Sequence, residues 1–166
     1  TSGYWPVGAC VVTDDVFAAF QGGPDSTYAH GFTYGGHPAS GAAGLANVGI
    51  MEREDLPGNS ARMGALMLDQ LNGLRDHPTV GDVRGIGLMC AVELVKDKVT
   101  KESMANVEGF RKLLSDALSD RGMLARVAGN NLLIAPPLTV NEQEVDEMVG
   151  IVEASISYVE KTLAIR

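Results

Sequence analysis

The segment Leu56-Pro57-Gly58-Asn59 interrupts the apolar patterning more sharply than any other part of the chain, and it divides the sequence into two unlike pieces. Behind the break, helical and strand-like periods alternate. Ser60 can cap a helix that buries Met63, Leu66, Met67, Leu71 and Leu74 and ends near Asp76-His77-Pro78, with His77 as helix-end punctuation. Gly85 to Val95 is apolar and reads as one strand. Residues Ser103 to Arg121 carry a stripe of Val107, Phe110, Leu113, Leu114, Ala117 and Leu118, and Gly122 stands where a helix end favours glycine. Met123–Val127 and Asn131–Ala135 flank Ala128-Gly129-Asn130 as a hairpin. Asn141 with Glu144 three residues later has the pattern of a capping box, opening a helix that buries Val145, Met148, Val149, Val152, Ile156, Val159 and Leu163. Such alternation predicts an α/β domain, a few strands covered on one side by helices.

Ahead of the break the pattern is looser. Val7–Thr13 reads as a buried strand, Asp14 and Asp15 as the cap of a short helix through Phe20, and Gln21–His37 as a long irregular loop. Pro38 suits the first position of a helix running to about Glu54. Its small face (Ala42, Ala43, Ala46, Gly49) predicts close packing against another backbone. These residues look like the remnant of a separate, larger domain. Cys10 and Cys90 lie in apolar stretches and read as buried thiols in a reducing compartment. The formal net charge of -8 is spread along the chain, which argues against a nucleic-acid partner or an anionic membrane surface. No apolar run is long enough to span a bilayer.

Four local features bear on chemistry. The loop His30-Gly31-Phe32-Thr33-Tyr34-Gly35-Gly36-His37 runs into a helix start, a setting suited to an anion, although it matches no nucleotide-binding pattern and its glycines are equally suited to a plain turn. Arg126 is a lone cation between apolar strands, able to meet a carboxylate or to guard a sheet edge. His30 and His37 have no convincing third ligand, so no metal is expected. Arg84 is either a buried ion-pair anchor or a solvated strand-end charge.

Together the strings TSGYWPVGACVV, HGFTYGGHPASGAAGLANVGIMERE, HPTVGDVRGIGLMCAVELV and LARVAGNNLLIAPPLTV occur in the order seen in class III aminotransferases. The chain resembles that family over nearly its whole length, and most closely the omega-amino-acid:pyruvate type. The resemblance implies the fold type I architecture of pyridoxal 5'-phosphate (PLP) enzymes. Residues 1–56 would be the C-terminal end of the large PLP-binding domain, and 57–166 the small C-terminal domain. It implies a cytoplasmic homodimer or tetramer with active sites at the subunit interface, taking small-molecule amines and keto acids.

The family's Schiff-base lysine is expected just upstream of Thr1, and its pyridinium-pairing aspartate further upstream, so no catalytic residue is assigned in this chain. Lys96, Lys98, Lys101, Lys112 and Lys161 lack the motif and are not substitutes. Thr33 matches the family threonine that binds the cofactor phosphate of the partner subunit, and Phe32 a residue lining the neighbour's pocket. Arg126 matches the arginine that pairs with a substrate carboxylate and swings away for apolar amines. Tyr4 and Trp5 are expected to line the site near the lysine, and Gly35 replaces a serine common in the family. The implied reaction is PLP-dependent transamination from an omega-amino acid or amine to a keto acid such as pyruvate, by the intact enzyme. Two alternatives stand beside it. One is a non-catalytic fragment able only to pack or dimerise. The other is a class III relative with another PLP reaction, such as an aminomutase or a decarboxylase.

Overall fold

A computed structural model describes residues 2–165, which fall into two compact units, Thr1–Glu54 and Asp55–Arg166.

The first unit holds two helices, α1 (Asp14–Ala18) and α2 (Pro38–Arg53), and a 3-10 turn at Pro24–Ser26. Val7–Thr13 is not a strand, and its valines are exposed. A strand exists only when its backbone N–H and C=O groups find a neighbour, and no other strand occurs among the described residues of this unit. Cys10 is accordingly exposed rather than buried. Thr13, not an aspartate, takes the cap position of α1, while Asp14 and Asp15 occupy its first turn, where the helix dipole favours them. Helix α2 begins at Pro38 as its sequence predicts, but no residue of it is buried. A face of alanine and glycine gains by burial only against a second backbone, and the described residues of this unit supply none.

The second unit is a sheet with helices on one face. Helix α3 (Leu56–Gly73) starts ahead of Ser60, because Asp55 caps it and accepts from the Gly58 N–H at 3.3 Å. Pro57 falls in the first turn, where its missing N–H costs nothing. Strands β1 (Val80–Ile86) and β2 (Met89–Asp97) form a hairpin. The apolar run from Gly85 is therefore not one strand: Gly87, at φ +51°, and Leu88 make the turn. β3 (Glu102–Ser103) pairs with β2, and a 3-10 turn follows it. Helix α4 (Phe110–Ser119) starts seven residues later than Ser103, after Gly109 in the left-handed region. β4 (Arg126–Ala128) and β5 (Asn131–Ile134) form the expected hairpin, with Gly129 at φ +62°. Helix α5 (Glu142–Thr162) opens with the complete Asn141–Glu144 capping box.

The antiparallel sheet runs β1-β2-β5-β4, with β3 on β2. Val83, Cys90, Val92, Leu94, Leu132 and Ile134 alternate inward. They meet the buried stripes of α3 (Met63, Met67, Leu71), α4 (Phe110, Leu114, Leu118) and α5 (Val145, Val152, Ile156) in one core. Each fully buried large side chain of this kind contributes about 1.5–3 kcal/mol. Burial pushes the Cys90 thiol above its ordinary range.

Behind this core, α5 is fastened to the start of β1 by a buried acid. Glu160 accepts from the Thr79 hydroxyl at 2.7 Å and the Thr79 N–H at 3.2 Å, and its second oxygen lies 2.9 Å from His77 Nδ1. His77 is thus a partner of Glu160 rather than mere punctuation. Among the described residues no helix is long and apolar enough to cross a membrane.

Candidate functional site

The loop before α2 is built by aromatic contacts. Phe20, Tyr28, His30 and Phe32 follow one another with ring centroids 5.6, 5.3 and 4.9 Å apart. Such tilted and edge-on pairs add modestly to the area they cover. At the end of this ladder Gly35 N–H donates to the Phe32 carbonyl at 2.9 Å, closing a tight turn around Thr33 and Tyr34. A Cβ on Gly35 would stand 3.1 Å from that carbonyl oxygen, and Gly36 has φ +72°. The replacement of the family serine by Gly35 thus suits the local space.

Thr33 makes no hydrogen bond to a described residue through its hydroxyl or its amide. Five residues on, α2 begins with neither a side-chain cap nor an acidic residue in its first turn. An uncapped helix N-terminus and an uncommitted hydroxyl and amide form a donor set that fits a phosphate. Phe32 is exposed beside Thr33. Trp5 rests on His37, with ring centroids 5.8 Å apart, and Tyr4 is exposed. Thr33, Phe32, Tyr4 and Trp5 all lie in the first unit. Thr1, beside which the lysine is expected, lies outside the described residues.

Arg126 belongs to the second unit and opens β4, the last strand of the sheet. Its Cα partner is Leu133, and through Leu133 the same row continues to Ala91 and Arg84. Residues directly opposed across strands share a face, so both arginines stand on the side away from the core. Their states differ. Arg126 is exposed and makes no ion pair or hydrogen bond with a described residue. Arg84 is fully engaged, donating to Glu93 at 2.7 Å, to Asp82 at 3.2 Å and to Asn131 at 2.6 Å. The Glu93 and Asp82 carboxylates hold its guanidinium even more firmly protonated than usual. The Arg75 guanidinium, then Arg84, hold the Asp82 carboxyl below its ordinary range. Leu124, Ala125, Leu133, Met148 and Ile151, together with Glu144 and Glu147, help line an open cleft of about 450 Å³ that Arg126 does not line.

An exposed arginine on a sheet edge, with no acid partner among the described residues, can take a carboxylate through two parallel N–H···O bonds. The sequence allows Arg126 as receptor or edge guard, and Arg84 as a buried ion-pair anchor or a solvated charge. Arg84 is ion-paired, but its side chain is 49% exposed, so it is neither the buried anchor nor a free solvated charge. The Asn130 and Asn131 side chains, which tie the β4–β5 hairpin to Glu93 and Arg84, had no sequence signal beyond their place in a turn.

Comparison with known proteins identifies the family. The model of the family "Aminotransferase class-III" matches residues 1–156. Putrescine–pyruvate aminotransferase of Pseudomonas aeruginosa is 35% identical over 150 residues, 90% of this chain and 32% of its own length. Taurine–pyruvate aminotransferase of Bilophila wadsworthia is 37% identical over 96% of this chain and 37% of its own length. Among solved structures, an amine transaminase from an uncultivated Pseudomonas species, in its PLP-bound form, superposes with a TM-score of 0.90 at 40% identity, covering 95% of this chain and 36% of that one. An (S)-enantioselective omega-transaminase from Thermomicrobium roseum gives 0.81 at 38% identity, over 89% and 33%. The chain spans about a third of the length of the relatives it matches. Its helices and sheet are a portion of the α/β fold type I architecture of PLP enzymes, and the chain belongs to the class III aminotransferases.

Proposed function

We propose that the complete enzyme transfers an amino group from an omega-amino acid or amine to a keto acid such as pyruvate, with PLP as cofactor. The observation that carries this reading is Arg126, a cation held on a sheet edge with no acid of its own among the described residues. A transaminase of this type takes two substrates in turn at one site, and the amine need not bear a carboxylate where the keto acid does. Arg126 pairs with the acid and swings aside on its flexible stem for the amine.

PLP supplies the electron sink for the chemistry. Thr33 holds the cofactor phosphate at the partner subunit's site through its hydroxyl and amide, with the N-terminus of α2 behind it. Phe32 forms part of that neighbouring pocket's wall and excludes water from it. Tyr4 and Trp5 line the chain's own site. Residues 1–56 belong to the large domain and 57–166 to the small one, and the assembly is a cytoplasmic homodimer or tetramer. The names of the putrescine–pyruvate and taurine–pyruvate relatives support a simple keto acid as acceptor.

The test is Arg126→Ala in the complete enzyme. Loss of a charge-assisted pair is expected to lower kcat/KM for pyruvate roughly 10- to 100-fold, with little change for amines that lack a carboxylate. Equal losses for both substrates would remove the carboxylate role. Thr33→Ala is expected to weaken PLP binding about tenfold, read by titrating the apoenzyme with cofactor. Unchanged affinity would return Thr33 to a turn residue.

A further inference from the structure

The outward face of the sheet carries more charge than the proposed reaction uses. One row across the strands is Arg84, Ala91, Leu133 and Arg126, and the next row on the same face is Asp82, Glu93, Asn131 and Ala128. Glu93 is the acid of this face nearest Arg126 in the register, separated from it by β5 and one row. Two strand spacings and one two-residue step put their Cα atoms about 12 Å apart, beyond the distance over which solvent screens a charge, so competition requires direct contact, which two side chains of this length can make. A free carboxylate at Glu93 would therefore compete for Arg126.

In the structure Glu93 is not free. One of its oxygens accepts from Arg84 at 2.7 Å and the other from the Asn130 side chain at 3.3 Å. Asp82, the second acid of the row, is shared between Arg84 and Arg75, the latter at 2.9 Å. Arg84 also donates to Asn131, whose own amide donates to Asn130 at 2.9 Å. Asp82 is committed on the β1 side of the sheet and Glu93 is shared between Arg84 of β1 and Asn130 of the β4–β5 turn, so the cation of β4 has no acid among the described residues.

We infer that Arg84 is a positioning residue for the substrate carboxylate: by clamping Glu93 toward β1 it keeps that acid off Arg126 and leaves Arg126 open to the keto acid. The inference rests on the reading of Arg126 as carboxylate receptor. It assigns Arg84 a role in substrate affinity without contact with the substrate. It also gives Glu93 a latent one, as an internal competitor once released.

The experiment uses the complete enzyme with four variants: Arg84→Met, Arg84→Met with Glu93→Gln, Arg84→Lys, and Arg126→Ala as reference. Steady-state kinetics with pyruvate give KM and kcat. In parallel, labelling of Arg126 by phenylglyoxal, followed by peptide mass spectrometry, reports whether Arg126 is engaged, independently of turnover. Arg84→Met is expected to raise the KM for pyruvate about tenfold with kcat near that of the parent, and to slow labelling of Arg126. Adding Glu93→Gln is expected to restore both, because the competitor has lost its charge. Arg84→Lys, which keeps the charge but not the fork, should fall between.

A purely structural role for Arg84 predicts the opposite for the double variant, which loses a second contact and would be no better than the single one. That result, or an Arg84→Met variant with parental KM and labelling, overturns the inference while leaving Arg126 as receptor. If Arg126→Ala itself leaves the KM for pyruvate unchanged, the reading of Arg126 fails instead. The labelling rates then still decide whether released Glu93 captures Arg126.

Discussion

Replacing Gly64 by alanine is expected to lower the stability of the second unit by about 3 kcal/mol, the upper range for overpacking. An alanine Cβ at this position of α3 would lie 2.2 Å from the Gly87 carbonyl carbon and 2.3 Å from its oxygen. The obstacle is backbone, which cannot rotate away as a side chain tip can. It is also fastened: the Leu88 N–H donates to Ser60 Oγ at 3.3 Å, and Leu88 is buried in the core. Relief requires the whole β1–β2 turn to lift from α3, dragging Leu88 and Cys90 out of register. Thermal and urea unfolding of the complete enzyme read the effect. Gly150→Ala on α5 is the control, since a Cβ there meets nothing within 4 Å, and a helical glycine-to-alanine change should stabilise by roughly 0.5–1 kcal/mol. Equal midpoints for the two variants would show that the turn yields freely.

Glu160→Ala is expected to cost about 3 kcal/mol, the range for breaking a buried polar pair. The substitution leaves the Thr79 hydroxyl and N–H and the His77 ring without their acceptor, in a place where Thr79 is 1% exposed and water is excluded. Orphaned donors carry their full desolvation penalty. Glu160→Gln separates charge from geometry. Its carbonyl oxygen can still accept from Thr79, so its loss should be clearly smaller than that of Glu160→Ala. If Glu160→Ala unfolds at the parental denaturant concentration, the acid does not fasten α5 to β1.

What the sequence made legible is local. The stripe of α5 and its capping box, the core of α4 and the β4–β5 hairpin all follow from spacings shorter than two helical turns. Misreadings arose where a local signal had a non-local cause. Gly85–Val95 carries no polar turn residue, because the turn at Gly87–Leu88 is itself packed against α3 and can be apolar. Ser60 has the chemistry of a helix cap, but its hydroxyl accepts from Leu88 instead. The Glu160–Thr79 and Glu160–His77 bonds join residues 81 and 83 positions apart, and a glutamate on a helix ordinarily reads as solvated. Val7–Thr13 has the composition of a strand, yet composition cannot provide the neighbour that a strand needs. Arg84 and Arg126 were each visible as isolated cations. Only the pairing of four strands puts them in one row and shows one to be committed and the other not.

The terminal place of β4 in the sheet has a consequence for anyone who would broaden what this enzyme accepts. Among the described residues one side of β4 has no strand beside it, and Arg126 is the single charge the strand carries. A charge on an open strand discourages a second copy from zipping onto it. If Arg126 is the carboxylate receptor proposed above, an apolar residue at 126 would change the acceptors taken and, in the same stroke, make the strand adhesive. On that proposal, substrate range and soluble yield are coupled through one side chain. A screen scored on turnover in crude extract would confuse the two, discarding permissive variants because too little of them stayed in solution.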